Sequence, residues 1–252
     1  MKIIFRIVLF FQIIFLTNCS SSDQAVEYFK KATSLSKSGN YDEAIKYFDR
    51  ALDIKPDFCT AWNNKGITLF KSGKTDEAIK CYNKSIEIDS NMFDALNNKG
   101  NALFELVKYN DAIIFYDKAI TIKPDYFNAW NNKGLALCAL GKFEESIYCF
   151  DKAINYKSGF FEAWNNKGAS YFSLGRFDEA IKCINEAIKI SPEYCEAWYN
   201  IACSNSILKN KIEMLNALKK AIELNNKIKL TAKADSDFKE YWNDSDFIAL
   251  VK

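Results

Sequence analysis

The sequence predicts an all-α fold, an α-solenoid of six stacked helix-turn-helix units closed by a helical cap at the C-terminal end. Three observations carry this. The string AWNNKG begins at residues 61, 129 and 163 and its variant ALNNKG at 95, so successive copies stand 34 residues apart. Apolar and small residues recur at helical intervals between the copies, as in Trp62, Gly66 and Leu69, then Ala78, Tyr82 and Ile86. Only three prolines and nine glycines interrupt 252 residues, which leaves room for long helices.

The N-terminal segment has another character. Lys2 and Arg6 form a basic start, and Ile7 to Leu16 is apolar except for Gln12. The stretch from Ile3 to Thr17 is 15 residues, short of the roughly 20 that a spanning helix needs. It fits a secretory signal peptide, with an uncleaved N-terminal anchor or a simple hydrophobic start as the other readings. Leu16-Thr17-Asn18-Cys19 resembles the lipobox of bacterial lipoproteins, although Asn18 departs from its usual small residue. The resemblance implies a signal peptide over 1–18, lipidation of Cys19 and a membrane-anchored lipoprotein of the bacterial cell envelope, periplasmic or surface-facing. Residues 19–24 then read as a tether.

Composition excludes several functions. With 34 basic and 32 acidic residues there is no basic surplus of the kind nucleic-acid binding demands. Histidine is absent, which removes the commonest general base and transition-metal ligand. There is no Gly-rich phosphate loop and no cysteine pair spaced as CxxC. The expectation is therefore no catalytic residues, no metal and no cofactor. Cys81, Cys149 and Cys183 share one register of the repeat and read as small buried core residues, with no obligatory disulfide expected.

The units are 25–58, 59–92, 93–126, 127–160, 161–194 and 195–228. Midway through each first helix (helix A) stands a small residue: Ala32, Gly66, Gly100, Gly134, Gly168 or Ala202. The second helix (helix B) carries Ala44, Ala78, Ala112, Ser146 or Ala180 early, with Met214 in the last unit. Four positions on comes Phe48, Tyr82, Tyr116, Phe150, Ile184 or Leu218. Small residues let two helices approach and the large one fills the gap. Pro56, Pro124 and Pro192 can stop helix B because proline lacks the N–H to continue it. This W-x₂-L-G-x₂-Y…A-x₃-F…P pattern resembles the tetratricopeptide repeat. Such units stack because none buries its apolar face alone, and the resemblance implies a right-handed superhelix with the A helices on its concave side. Residues 229–252 read as the cap, with Asp235 or Ser236 as a helix N-cap and Phe238, Tyr241, Trp242, Phe247 and Leu250 as apolar contacts.

With Trp62 as position 4, the family's inward positions are 2, 5, 6, 9, 12 and 13. Position 5 holds Asn63, Asn97, Asn131 and Asn165; position 6 holds Asn64, Asn98, Asn132, Asn166 and Asn200; position 12 supplies Phe70, Phe104 and Phe172. The ladder resembles the concave lining of O-GlcNAc transferases, where it engages the main chain of an extended polypeptide. Carboxamides both donate and accept, as a peptide backbone does. The same amides could instead bond between units and fix the repeat spacing, and the sequence leaves both readings open. Lys65, Lys99, Lys133 and Lys167 at position 7 read as solubilising lysines whose stems lie on apolar surface. The basic residues of a chaperone-type carboxylate clamp are missing: positions 5 and 9 are Phe29 and Thr33, Asn63 and Ile67, Asn97 and Asn101. The expected function is a non-enzymatic scaffold, lipid-anchored in the envelope, that binds a protein or extended peptide on the concave face. The alternative is an accessory subunit of a membrane-associated enzyme or envelope-assembly complex. The membrane is a partner only through the lipid, and nucleic acid is not a partner.

Overall fold

The computed structural model describes residues 22–252; the signal segment, Cys19 and the rest of the first half of the tether lie outside the described residues. The chain divides into two compact units, Met1–Lys123 and Pro124–Lys252, and its described residues are helical with no strand. No described helix is long and apolar enough to cross a membrane.

The first unit holds three helix pairs. They are α1 (22–37) with α2 (Tyr41–Ile54), α3 (Cys59–Lys71) with α4 (Thr75–Ile88), and α5 (Phe93–Glu105) with α6 (Tyr109–Ile122). Ala32, Ala44 and Phe48 are fully buried together. Between α3 and α4 the approach is so close that a Cβ on Gly66 would meet a Tyr82 ring carbon at 2.5 Å. Only glycine allows that ring to lie flat on helix A. Gly100 and Tyr116 repeat the arrangement.

The second unit holds α7 (Phe127–Ala139) with α8 (Phe143–Tyr156), α9 (Phe161–Ser173) with α10 (Phe177–Ile190), and α11 (Cys195–Ile207) with α12 (Lys211–Leu224). The cap follows as α13 (Ile228–Ala234), a 3-10 segment (Ser236–Tyr241) and α14 (Ser245–Val251). Met214 is the small-to-large exception in the repeat, and it is fully buried in a core it shares with Phe238 and Phe247 of the cap. Asp235 accepts from the Asp237 N–H and Asp244 from the Asp246 and Phe247 N–H groups, so the 3-10 segment and α14 each have an aspartate at the start, whereas α13 follows Lys227 with no side-chain cap. Tyr241 is buried and Leu250 half-buried, but Trp242 departs from expectation. It sits 39% exposed in the turn after the 3-10 segment, where it lines a hollow of the cap with Phe247 and Val251.

Helix boundaries have local causes. The B helices lack side-chain N-caps and place acids in the first turn instead, such as Asp76 and Glu77 in α4 or Asp178 and Glu179 in α10. Helix B stops at Ile54 and Ile190 ahead of Pro56 and Pro192, but equally at Ile88 and Tyr156 ahead of Ser90 and Ser158. Proline is thus not required for the stop. Its carbonyl has a second use: the Trp62 indole N–H donates to Pro56 at 2.9 Å, and Trp198 to Pro192 at 2.8 Å. The turn from A to B needs one left-handed residue, supplied by Gly39, Gly73, Gly141 and Gly175, and by Val107 and Lys209 where glycine is absent.

Candidate functional site

Within each unit the A helices pack directly on one another, α3 on α5, and α7 on α9 and α9 on α11. The B helices are joined to the next pair through its A helix, as α4 to α5 and α8 to α9. In each unit the A side is therefore the inner side, and that unit's part of the asparagine stripe lies on it.

The two asparagine positions have different roles. Asn63, Asn97, Asn131 and Asn165 are 4–7% exposed, inside the packing between successive A helices. Asn98 Nδ2 donates to Asn63 Oδ1 at 3.0 Å. In the second unit Asn166 Nδ2 donates to Asn131 Oδ1 at 3.1 Å and Asn200 Nδ2 to Asn165 Oδ1 at 2.9 Å. Position 5 thus works in the spacing role, because an amide that closely surrounded must find its partners within the protein. Position 6 remains half-buried on the stripe: Asn64, Asn98, Asn132, Asn166 and Asn200. Asn98, Asn166 and Asn200 each donate one N–H into the stack, and their oxygens stay accessible, because no described side-chain oxygen is both sealed from solvent and without a partner. Asn64 and Asn132 take a long contact from the adjacent position-5 amide, 3.5 and 3.4 Å.

The position-12 phenylalanines are half-buried, each packed beside the ladder. Phe104 lies against Tyr109 and Phe172 against Phe177, with ring centroids 5.1 and 5.2 Å apart. Phe70 packs on the Leu69–Tyr82 core. Two hollows open on the stripe. One of about 170 Å³ in the first unit is lined by Thr33, Ser36, Lys37, Asn64, Ile67 and Lys71, among others. One of about 220 Å³ in the second includes Phe172, Tyr199 and Asn200 and is closed by Asp235 and Asp237 of the cap.

The lysines at position 7 correct the solubilising reading. Lys65 bonds Asp49 of α2 at 2.5 Å and Lys167 bonds Asp151 of α8 at 2.6 Å, with 17% and 14% of the lysine side chains exposed. Lys99 donates to Asn83 of α4 at 2.6 Å. These are ties from helix A to the preceding helix B. Burial alone would lower the Lys167 ammonium pKa, but the bond to Asp151 leaves it raised. Lys99 has an amide partner and sits near Lys118; burial first, then Lys118, lowers it. The signal was present in the sequence as an Asp or Asn sixteen residues before each lysine: Asp49, Asn83, Asp117 and Asp151. Cys81, Cys149 and Cys183 are buried, and burial raises the Cys81 thiol to about 11 despite nearby Lys65, which makes it a poor nucleophile.

Stacked helix pairs with an amide-lined inner stripe define a helical-repeat protein of the interaction class. Models of the tetratricopeptide repeat match residues 25–58, 59–92, 93–126 and 161–194, and others match 115–148, 134–175 and 196–228. The chain belongs to the tetratricopeptide repeat family. A comparison with curated proteins finds no match. Among solved structures it resembles PilF of Pseudomonas aeruginosa, at 15% identity and TM-score 0.75 over 90% of this chain and 100% of that one. It also resembles MamA (24%, TM-score 0.59, 68% of this chain and 93% of that one). A third is YrrB, described as a TPR protein with an unusual peptide-binding site (22%, TM-score 0.58, 74% and 97%). At these identities the likeness concerns the fold.

Proposed function

We propose that this protein is a non-enzymatic scaffold that holds an extended segment of a partner protein against the inner stripe of its A helices. One observation carries the reading. The buried position-5 amides hold the position-6 amides by one N–H each, so that acceptor oxygens lie on the stripe beside half-buried phenylalanines, Asn98 in the first unit and Asn166 and Asn200 in the second. A main chain laid along the stripe would donate N–H groups to these oxygens, with little dependence on its sequence. Each such bond contributes about 0.5–1.5 kcal/mol net, against an association cost of roughly 4–15 kcal/mol, so several rungs and the apolar contacts act together. Lipidation at Cys19 would hold the array on a membrane of the bacterial envelope, where acyl chains contribute about 0.8 kcal/mol per buried CH₂.

A photo-crosslinking residue at Ser173, exposed on the stripe, is expected to give protein adducts in the producing cell. The same group at Lys182, exposed on α10, is expected to give none. Adducts from Lys182 alone, or from neither position, would refute the reading. For the anchor, globomycin treatment should prevent the mass change at the mature N-terminus that lipidation and cleavage at Cys19 produce.

A further inference from the structure

The hollow in the second unit differs in chemistry from the rest of the stripe. We infer that it takes the cationic head of a lysine or arginine side chain carried by the bound partner, an assignment that rests on the scaffold reading above and adds specificity to it.

The lining sets the sign of the occupant. Asp235 and Asp237 close one side, and no cation is among the residues that line the hollow. The hollow of the first unit has the opposite character, with Lys37 and Lys71 and no carboxylate. Acidity is therefore a property of this place and not of the stripe as a whole. The two carboxylates also differ in what they already do. Asp235 is committed: one oxygen accepts from the Asp237 N–H at 3.0 Å and the other from the Tyr199 hydroxyl at 2.5 Å. Asp237 ties its backbone carbonyl to the Ser206 hydroxyl, while its carboxylate lies beside the Cys203 thiol, a weak donor. The Cys203 sulfur and one oxygen of each aspartate lie within 4.8 Å of one another. Burial and the neighbouring Asp235 raise the Asp237 pKa, the mark of a carboxylate short of positive charge.

The walls suit the stem and face of a basic side chain. Phe172 and Tyr199 supply rings for cation–π contact, and the accessible oxygen of Asn200 adds a neutral acceptor. At about 220 Å³ the hollow has space for one long side chain. Its acceptors suit a guanidinium or ammonium, which only donate.

The test uses the full chain in detergent micelles with a chelator present, so that no metal ion fills the hollow. Three fluorescein-labelled dodecapeptides of alanine, glycine and serine carry one central lysine, norleucine or glutamate, and binding is read by anisotropy. The lysine peptide is expected to bind at least tenfold more tightly than the norleucine peptide. Asp237→Asn should abolish that preference and leave norleucine binding unchanged. Glu193→Gln, the same charge change at an exposed site away from the hollow, should retain it. Thermal melting confirms that each variant is folded. Equal binding of lysine and norleucine peptides, a preference that survives Asp237→Asn, or no binding by any of the three overturns the assignment. The scaffold reading is judged separately by the crosslinks from Ser173.

Discussion

Lys167 of α9 reaches back to Asp151 of α8 with its ammonium 2.6 Å from the carboxylate and most of its side chain covered. The contact spans a repeat boundary and the same register pairs Lys65 with Asp49. A lysine so placed resists being left alone, because a covered charge without a partner carries its full desolvation cost. Asp151 is 45% exposed, so water screens part of the pair. Asp151→Ala should therefore cost about 1 kcal/mol, read as a lower urea midpoint. Lys167→Met with Asp151→Ala should recover most of the loss, since the thioether occupies the covered stem's place without a charge. A double variant no better than Asp151→Ala alone would show that the pair is not what holds this boundary.

The turn between α5 and α6 should be the weakest of its kind. Val107 has φ of +62° where four other repeats place glycine. A β-branched residue in the left-handed region costs about 1–2 kcal/mol. Val107→Gly removes that strain, and greater freedom in the unfolded chain offsets roughly 0.5–1 kcal/mol of the gain. A net stabilisation of up to about 1 kcal/mol is expected. Hydrogen exchange should slow at the start of α6. Unchanged exchange and an unchanged urea midpoint would mean that the turn has relaxed elsewhere.

Paired substitutions separate the two asparagine positions. Asn165→Ala deletes the acceptor of the Asn200 amide inside the packing. Leaving a covered donor unmet costs about 1–3 kcal/mol, so the melting temperature should fall. Asn64 takes only a long contact from Asn63, and Asn64→Ala should leave melting nearly unchanged while weakening partner capture. Reversal of this order would place the spacing role on position 6.

These cases show which parts of the molecule were legible in the sequence. The pairing of Gly66 with Tyr82 could be read because small and large residues recur at fixed positions, and periodicity reports packing directly. The burial of Asn63 could not, because asparagine carries no apolar signal and its partner Asn98 stands 35 residues away on a neighbouring helix. The Lys65–Asp49 tie had a visible sixteen-residue spacing, but spacing shows a pair only once the facing sides of two helices are known. The hollow closed by Asp235 and Asp237 was out of reach for a further reason. It depends on how an irregular cap folds back on α11, and no repeat register governs that.

Acid should act on the cap through Asp237. Its carboxyl is raised above the ordinary 3.8 by burial and by Asp235, and the Cys203 thiol and Tyr199 hydroxyl that complete its surroundings stay neutral near pH 7, both raised by burial. A carboxyl with a raised folded pKa binds its proton more readily in the folded state. Its ionisation therefore opposes folding, and the penalty disappears as pH falls through the raised value toward 3.8. At neutral pH, Asp237→Asn should melt above the wild type, and the difference should shrink as the carboxylate range is entered from above. Asp244 works in the opposite sense, its carboxyl lowered by Lys211, so the absolute melting curve mixes the two. The comparison between wild type and Asp237→Asn isolates the single group. A difference independent of pH would show that Asp237 gains its neutralising charge from elsewhere in the fold.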